Sequence, residues 1–80
     1  MIETRIAPRI RVSKPAQIEH GGDKIPCIVR DLSVTGAALE LDDLSVRVPS
    51  EFNLLVPEDR LILPCRVVWR RGFRVGVQFE

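Results

Sequence analysis

Six prolines, at positions 8, 15, 26, 49, 57 and 64, punctuate a chain of 80 residues. Between consecutive prolines only the stretch 27–48 runs longer than ten residues, and Gly36 falls inside it. A proline within a helix costs about 3 kcal/mol, because it removes a backbone donor and clashes with the preceding turn. Long helices therefore have almost nowhere to form, and apolar residues must be buried by strands. There are enough of them to bury, since hydrophobic residues make up 45% of the chain and charged residues 29%. That balance belongs to a globular protein rather than a disordered one. The length fits a single domain spanning 1–80.

Period-2 alternation marks the strands. At the C-terminus Phe73, Val75, Val77 and Phe79 alternate without a break against Arg74, Gly76, Gln78 and Glu80. Residues 9–20 alternate around Ile10 and Val12, with a bend or bulge expected at Pro15. Gly21-Gly22-Asp23 has the composition of a hairpin turn leading into 24–31, where Ile25, Cys27 and Val29 face one way. Residues 36–42 place Ala37, Leu39 and Leu41 inward. A short piece at 51–56 ends at the turn residues Pro57-Glu58-Asp59. In 60–70, Leu61, Leu63, Cys65, Val67 and Trp69 share one face, and Pro64 demotes part of that strand to an edge or a bulge. Six short strands without βαβ spacing predict an all-β fold with little or no helix: a small antiparallel barrel, closed because closure removes exposed edges. Residues 9–80 form that barrel, and residues 1–8 read as a flexible extended arm outside the sheet.

Net charge is only +1, yet the cations are unevenly placed. Ten of the twelve are Arg, the side chain that forks onto phosphates and guanine edges and stacks on flat rings. A genome rich in G and C produces the same excess. The clustering is more telling. Residues 1–14 carry Arg5, Arg9, Arg11 and Lys14 against Glu3 alone, and residues 66–74 carry Arg66, Arg70, Arg71 and Arg74 with no acid. Such clusters in a nearly neutral protein predict a local anion site.

Other chemistries find little support. Cys27 and Cys65 stand far apart with only His20 for company, too few ligands for zinc, so no metal is expected. Reduced core thiols are the expectation for both cysteines. No nucleophile–base arrangement presents itself, which argues against an enzyme. Single-stranded nucleic-acid binding needs interleaved aromatics, and Phe52, Phe73, Phe79 and Trp69 mostly alternate toward the core, so no DNA or RNA partner is expected. No apolar run approaches the roughly 18 residues of a membrane span, and the first residues lack a signal-like block, which predicts a cytoplasmic protein.

The segment Asp31-Leu32-Ser33-Val34-Thr35-Gly36 lies between two expected strands. Asp and Ser cap amides in turns, and Gly supplies the positive φ that other residues resist. Ahead of it, Arg5-Ile6-Ala7-Pro8-Arg9 sets two guanidiniums four residues apart just before the first strand. An RxxxR arm followed by a [DN]xSxxG turn resembles the PilZ domain, the bacterial receptor module for cyclic di-GMP. The ending Trp69-Arg70-Arg71-Gly72-Phe73-Arg74-Val75-Gly76-Val77-Gln78-Phe79 is similar to that family's last hairpin. The likeness spans Arg5 to Phe79.

The resemblance implies a six-stranded antiparallel barrel and a non-catalytic receptor that takes cyclic di-GMP and no other cofactor. It assigns Arg5 and Arg9 to clamp phosphates and guanines, Asp31 and Ser33 to hydrogen-bond the ligand, and Gly36 to let the backbone turn closely beneath it. Arg11, Trp69 and Arg70 are further candidate contacts, with solvated strand faces for the arginines and partial core burial for Trp69 as their alternative roles. A downstream protein is the expected partner. The runner-up expectation is a PilZ-like interaction module that binds a protein and not the nucleotide.

Overall fold

The computed structural model describes residues 9–80; the arm expected at 1–8, with Arg5, lies outside the described residues. Strands β1 (Ile10–His20), β2 (Asp23–Leu32), β3 (Gly36–Leu41), β4 (Glu51–Val56), β5 (Leu61–Arg71) and β6 (Arg74–Phe79) close into a barrel in the order β1-β2-β3-β6-β5-β4. Every ladder is antiparallel. The all-β expectation holds, and among the described residues the one helical element is a 3-10 turn over Pro57–Asp59.

Alternation explains most of the wall. Ile18, Val29, Leu39, Leu54, Cys65 and Val75 point inward and are essentially inaccessible. At roughly 25 cal/mol per Å² of apolar surface removed from water, such residues hold a domain this small together. Gly21 and Gly22 take φ of +59° and +90°, the left-handed pair that a two-residue hairpin turn requires. Both cysteines are free and buried. Desolvation pushes the Cys27 thiol up to about 12, with Cys65 nearby adding to it, and pushes Cys65 up to about 11. Lys14 Nζ donates to Asp59 Oδ2 at 2.8 Å and pins the 3-10 turn to β1.

Three ladders slip by one residue. The β1–β2 register shifts between Arg11 and Lys14, the β2–β3 register between Val29 and Asp31, and the β5–β6 register between Val67 and Trp69. The irregularity in β1 therefore falls at Val12–Ser13, not at Pro15, which lies opposite Ile28 in a regular stretch. Pro15 is tolerated because the β1–β4 ladder begins only at Gln17. Pro64 does sit at a local edge: β6 joins β5 from Cys65 onward, and the Pro64 carbonyl accepts the Glu80 N–H at 2.9 Å.

Two inward assignments on β5 are corrected. Leu61 follows the 3-10 turn at the end of its ladder and is 40% exposed. Trp69 leaves the core altogether, because the extra residue Val68 reverses the alternation after Val67. Phe73 is likewise exposed, since Gly72 and Phe73 form the turn and β6 begins at Arg74.

Candidate functional site

The slips in β2 and β5 have the same consequence. Counting by twos from Cys27 and Val29 would send Asp31 into the core, and counting from Cys65 and Val67 would send Trp69 there. One extra residue, Arg30 in β2 and Val68 in β5, turns each of them onto the outer face. Bulges commonly re-aim side chains in this way next to binding sites. Arg11, Asp31, Ala38, Gly76 and Trp69 then stand opposite one another across five neighbouring strands. The two small residues make a low floor between a carboxylate and an indole.

Above that floor lies an open cleft of about 830 Å³, lined by Arg9, Asp31, Ser33, Gly36, Trp69 and Gln78 among others. The size falls within the roughly 300–1,000 Å³ of small-molecule sites. Five of the residues expected from the sequence thus meet: Arg9, exposed just ahead of β1, half-buried Asp31 near the end of β2, Ser33 in the turn that follows, Gly36 at the first position of β3, and Trp69 on β5. Arg5 lies outside the described residues.

The turn is built by its own side chains. Ser33 Oγ accepts the Thr35 and Gly36 N–H groups, each at 3.2 Å, while the Ser33 N–H donates to the Gly36 carbonyl at 2.9 Å. Ser33 therefore reaches the cleft with its hydroxyl already holding the loop in shape. Gly36 serves differently from the expectation. Its φ is not positive; instead a Cβ there would collide with the Val77 carbonyl of β6. The glycine is needed for close approach of β3 to β6.

Trp69 is the candidate contact that gains most from the structure. Its ring lies directly over Gly76, so that a Cβ at position 76 would run into the indole. The Arg71 guanidinium carbon stands 5.9 Å from the ring centroid, within the range of cation–π attraction. Being 39% exposed, Trp69 presents a flat apolar wall to the cleft. Arg70 is otherwise engaged. Its guanidinium donates to the carbonyls of Val46 (2.5 Å), Leu44 (3.1 Å) and Gly72 (3.2 Å), bracing the β3–β4 loop against the last hairpin. Neither Arg70 nor the exposed Arg11 lines the cleft, although Arg11 stands opposite Asp31 in the ladder.

The sequence reading missed the floor, Ala38 and Gly76. A signal was available for the second: glycine inside a strand usually marks a bulge or a close approach. Among the described residues no three His, Cys, Asp or Glu side chains gather as metal ligands would, and no helix is long and apolar enough to cross a membrane.

A family model described as PilZ domain matches residues 3–80, nearly the whole chain. The chain belongs to the PilZ family. Among curated proteins none matches it. In this PilZ domain the Asp31–Gly36 segment runs from the end of β2 through the turn to the first residue of β3 at the edge of the cleft, and Arg9, just ahead of β1, lines the same cleft. PilZ domains are a family known for binding cyclic di-GMP and are generally receptors without catalysis.

Proposed function

We propose that this PilZ domain is a non-catalytic, cytoplasmic receptor for cyclic di-GMP. The observation that carries the reading is the meeting of Arg9, Asp31 and an exposed indole around one cleft of suitable size. Each has a role in the chemistry of that ligand. The Arg9 fork pairs with phosphate oxygens or with guanine O6 and N7. The Asp31 carboxylate accepts from the guanine N–H edge, a pattern adenine does not offer. Trp69 supplies a face for a base to lie against, and base–aromatic stacking is worth about 1–3 kcal/mol.

Arg5, four residues before Arg9, acts with it on the phosphates in this reading. The dianion links Arg5 and Arg9 to Asp31 and Ser33, orders the arm against the barrel and changes the surface that a downstream protein meets.

Isothermal titration with cyclic di-GMP tests the proposal. Arg9→Ala is expected to weaken binding by about ten- to hundredfold, equivalent to about 1–3 kcal/mol. Tight binding that ignores Arg9→Ala would rule out the clamp. A folded wild-type chain that takes up no nucleotide would leave the interaction-module reading in its place.

A further inference from the structure

The hydrophobic pattern alone does not fix where the extra residue of β2 sits. Val29 pairs with Leu39, and Leu32 pairs with Ala37. Both core pairs are kept equally well if the unpaired residue between them is Arg30 or Asp31. With Arg30 unpaired, Asp31 stands opposite Ala38 on the cleft floor; with Asp31 unpaired, Arg30 would stand there instead. Two registers thus bury the same apolar side chains and present opposite charges to the cleft. Something outside the core must choose between them.

The Arg30 side chain is placed to do so. Its Nε donates to Glu40 Oε1 on β3 at 2.5 Å, and its Nη1 donates to Ser13 Oγ on β1 at 3.2 Å. Ser13 belongs to the irregular stretch of β1, and Glu40 lies two residues beyond Ala38. One guanidinium therefore ties together the three strands on which both slips occur. Its planar fork suits two acceptors held apart on different strands, which a lysine would not serve. Arg30 itself does not line the cleft.

We propose that Arg30 is the positioning residue of this site: its bonds to Ser13 and Glu40 lock the bulge at position 30 and so present Asp31 rather than a cation beside Ala38. Only the affinity part of the test rests on the cyclic di-GMP reading; the register part needs no ligand.

The test is nuclear magnetic resonance on the isotopically labelled chain, following the cross-strand contact between Asp31 and Ala38. Arg30→Met is expected to weaken that contact and bring up one between residue 30 and Ala38, while the Val29–Leu39 and Leu32–Ala37 contacts persist. Cyclic di-GMP affinity should fall about tenfold, the weight of one charge-assisted contact. In an Asp31→Ala background the same substitution should change affinity no further, which a general loss of stability would not reproduce. Exchanging the charges, Arg30→Glu with Glu40→Arg, should restore the Asp31–Ala38 contact. Should Arg30→Met fail to fold, Glu40→Gln is judged by the same contact, with partial loss expected. An Asp31–Ala38 contact that survives at full strength overturns the proposal, as does an undiminished effect of Arg30→Met without Asp31. If the contact moves but the wild type binds no nucleotide, the receptor reading falls and the positioning role stands.

Discussion

Where β4 runs between β1 and β5, the ladders keep one register throughout, from Glu51 opposite Arg66 to Val56 opposite Leu61, and from Gln17 opposite Leu55 to Glu19 opposite Asn53. Around the cleft, by contrast, the β1–β2, β2–β3 and β5–β6 ladders each slip by a residue. Both regions belong to one closed wall and share one core. In the regular region every inward position is apolar, and Phe52, Leu54 and Val56 are buried in strict alternation. In the irregular region the slips release Asp31 and Trp69 from inward positions and turn them toward the cleft. The period is kept where β4 is paired and broken around the cleft, while the core draws on all six strands.

The sharpest way to break that contrast is to damage the regular region alone. Leu54 is fully buried, so Leu54→Ala should cost about 2–5 kcal/mol, a large part of the stability of so small a domain. Urea unfolding reads the loss. If nucleotide affinity, measured well below the transition, fell in step with stability, the two regions would not be separable.

A smaller effect is expected on the other side. Gly76→Ala puts a methyl where the indole lies, and Trp69 must shift to admit it. The expected cost is about 1–2 kcal/mol of stability, in the range of mild overpacking. The larger consequence should be a displaced Trp69 indole N–H resonance and weaker nucleotide binding. An unmoved resonance would show that the ring does not rest on Gly76.

Smaller still near neutral pH is the contribution of the core thiols. Cys27 at about 12 and Cys65 at about 11 lie above the ordinary value near 9, so each gives up its proton more readily in the unfolded chain. Their stabilising effect is complete below about pH 9 and is lost as pH climbs toward those values, at up to about 1.4 kcal/mol per pH unit for each thiol. Unfolding midpoints at pH 8 and pH 10 should differ accordingly, and replacing both cysteines by Ala should reduce the difference sharply, leaving the part due to Lys14, whose bond to Asp59 also raises its pKa. At neutral pH a thiol reagent should label the native protein no faster than it opens.

The contrast between the regions also explains what could be read in the sequence. β4, the Gly21-Gly22 turn and most of β6 follow from alternation and turn chemistry, because local rules and packing agree there. Both motif segments were visible as residue patterns, and Arg9, Asp31, Ser33 and Gly36 do converge. Trp69 was misplaced because an indole suits a core as well as a cleft, and nothing in Val67-Val68-Trp69 announces an unpaired valine. Asp31 offered a better clue. A carboxylate falling on the same parity as Cys27 and Val29 is too costly to bury, so a slip between Val29 and Leu32 was to be expected, though not which residue it leaves unpaired. The reason for Gly36 lay in another strand, since only the Val77 carbonyl across the ladder shows why no side chain fits.

Trp69 is the chain's single tryptophan, and the chain has no tyrosine. Fluorescence from the unlabelled protein therefore originates at one spot, the wall facing Asp31 across the Ala38–Gly76 floor. A purine settling there would quench or shift that emission, so the cleft reports its own occupancy and a titration in a cuvette can follow it without any attached dye.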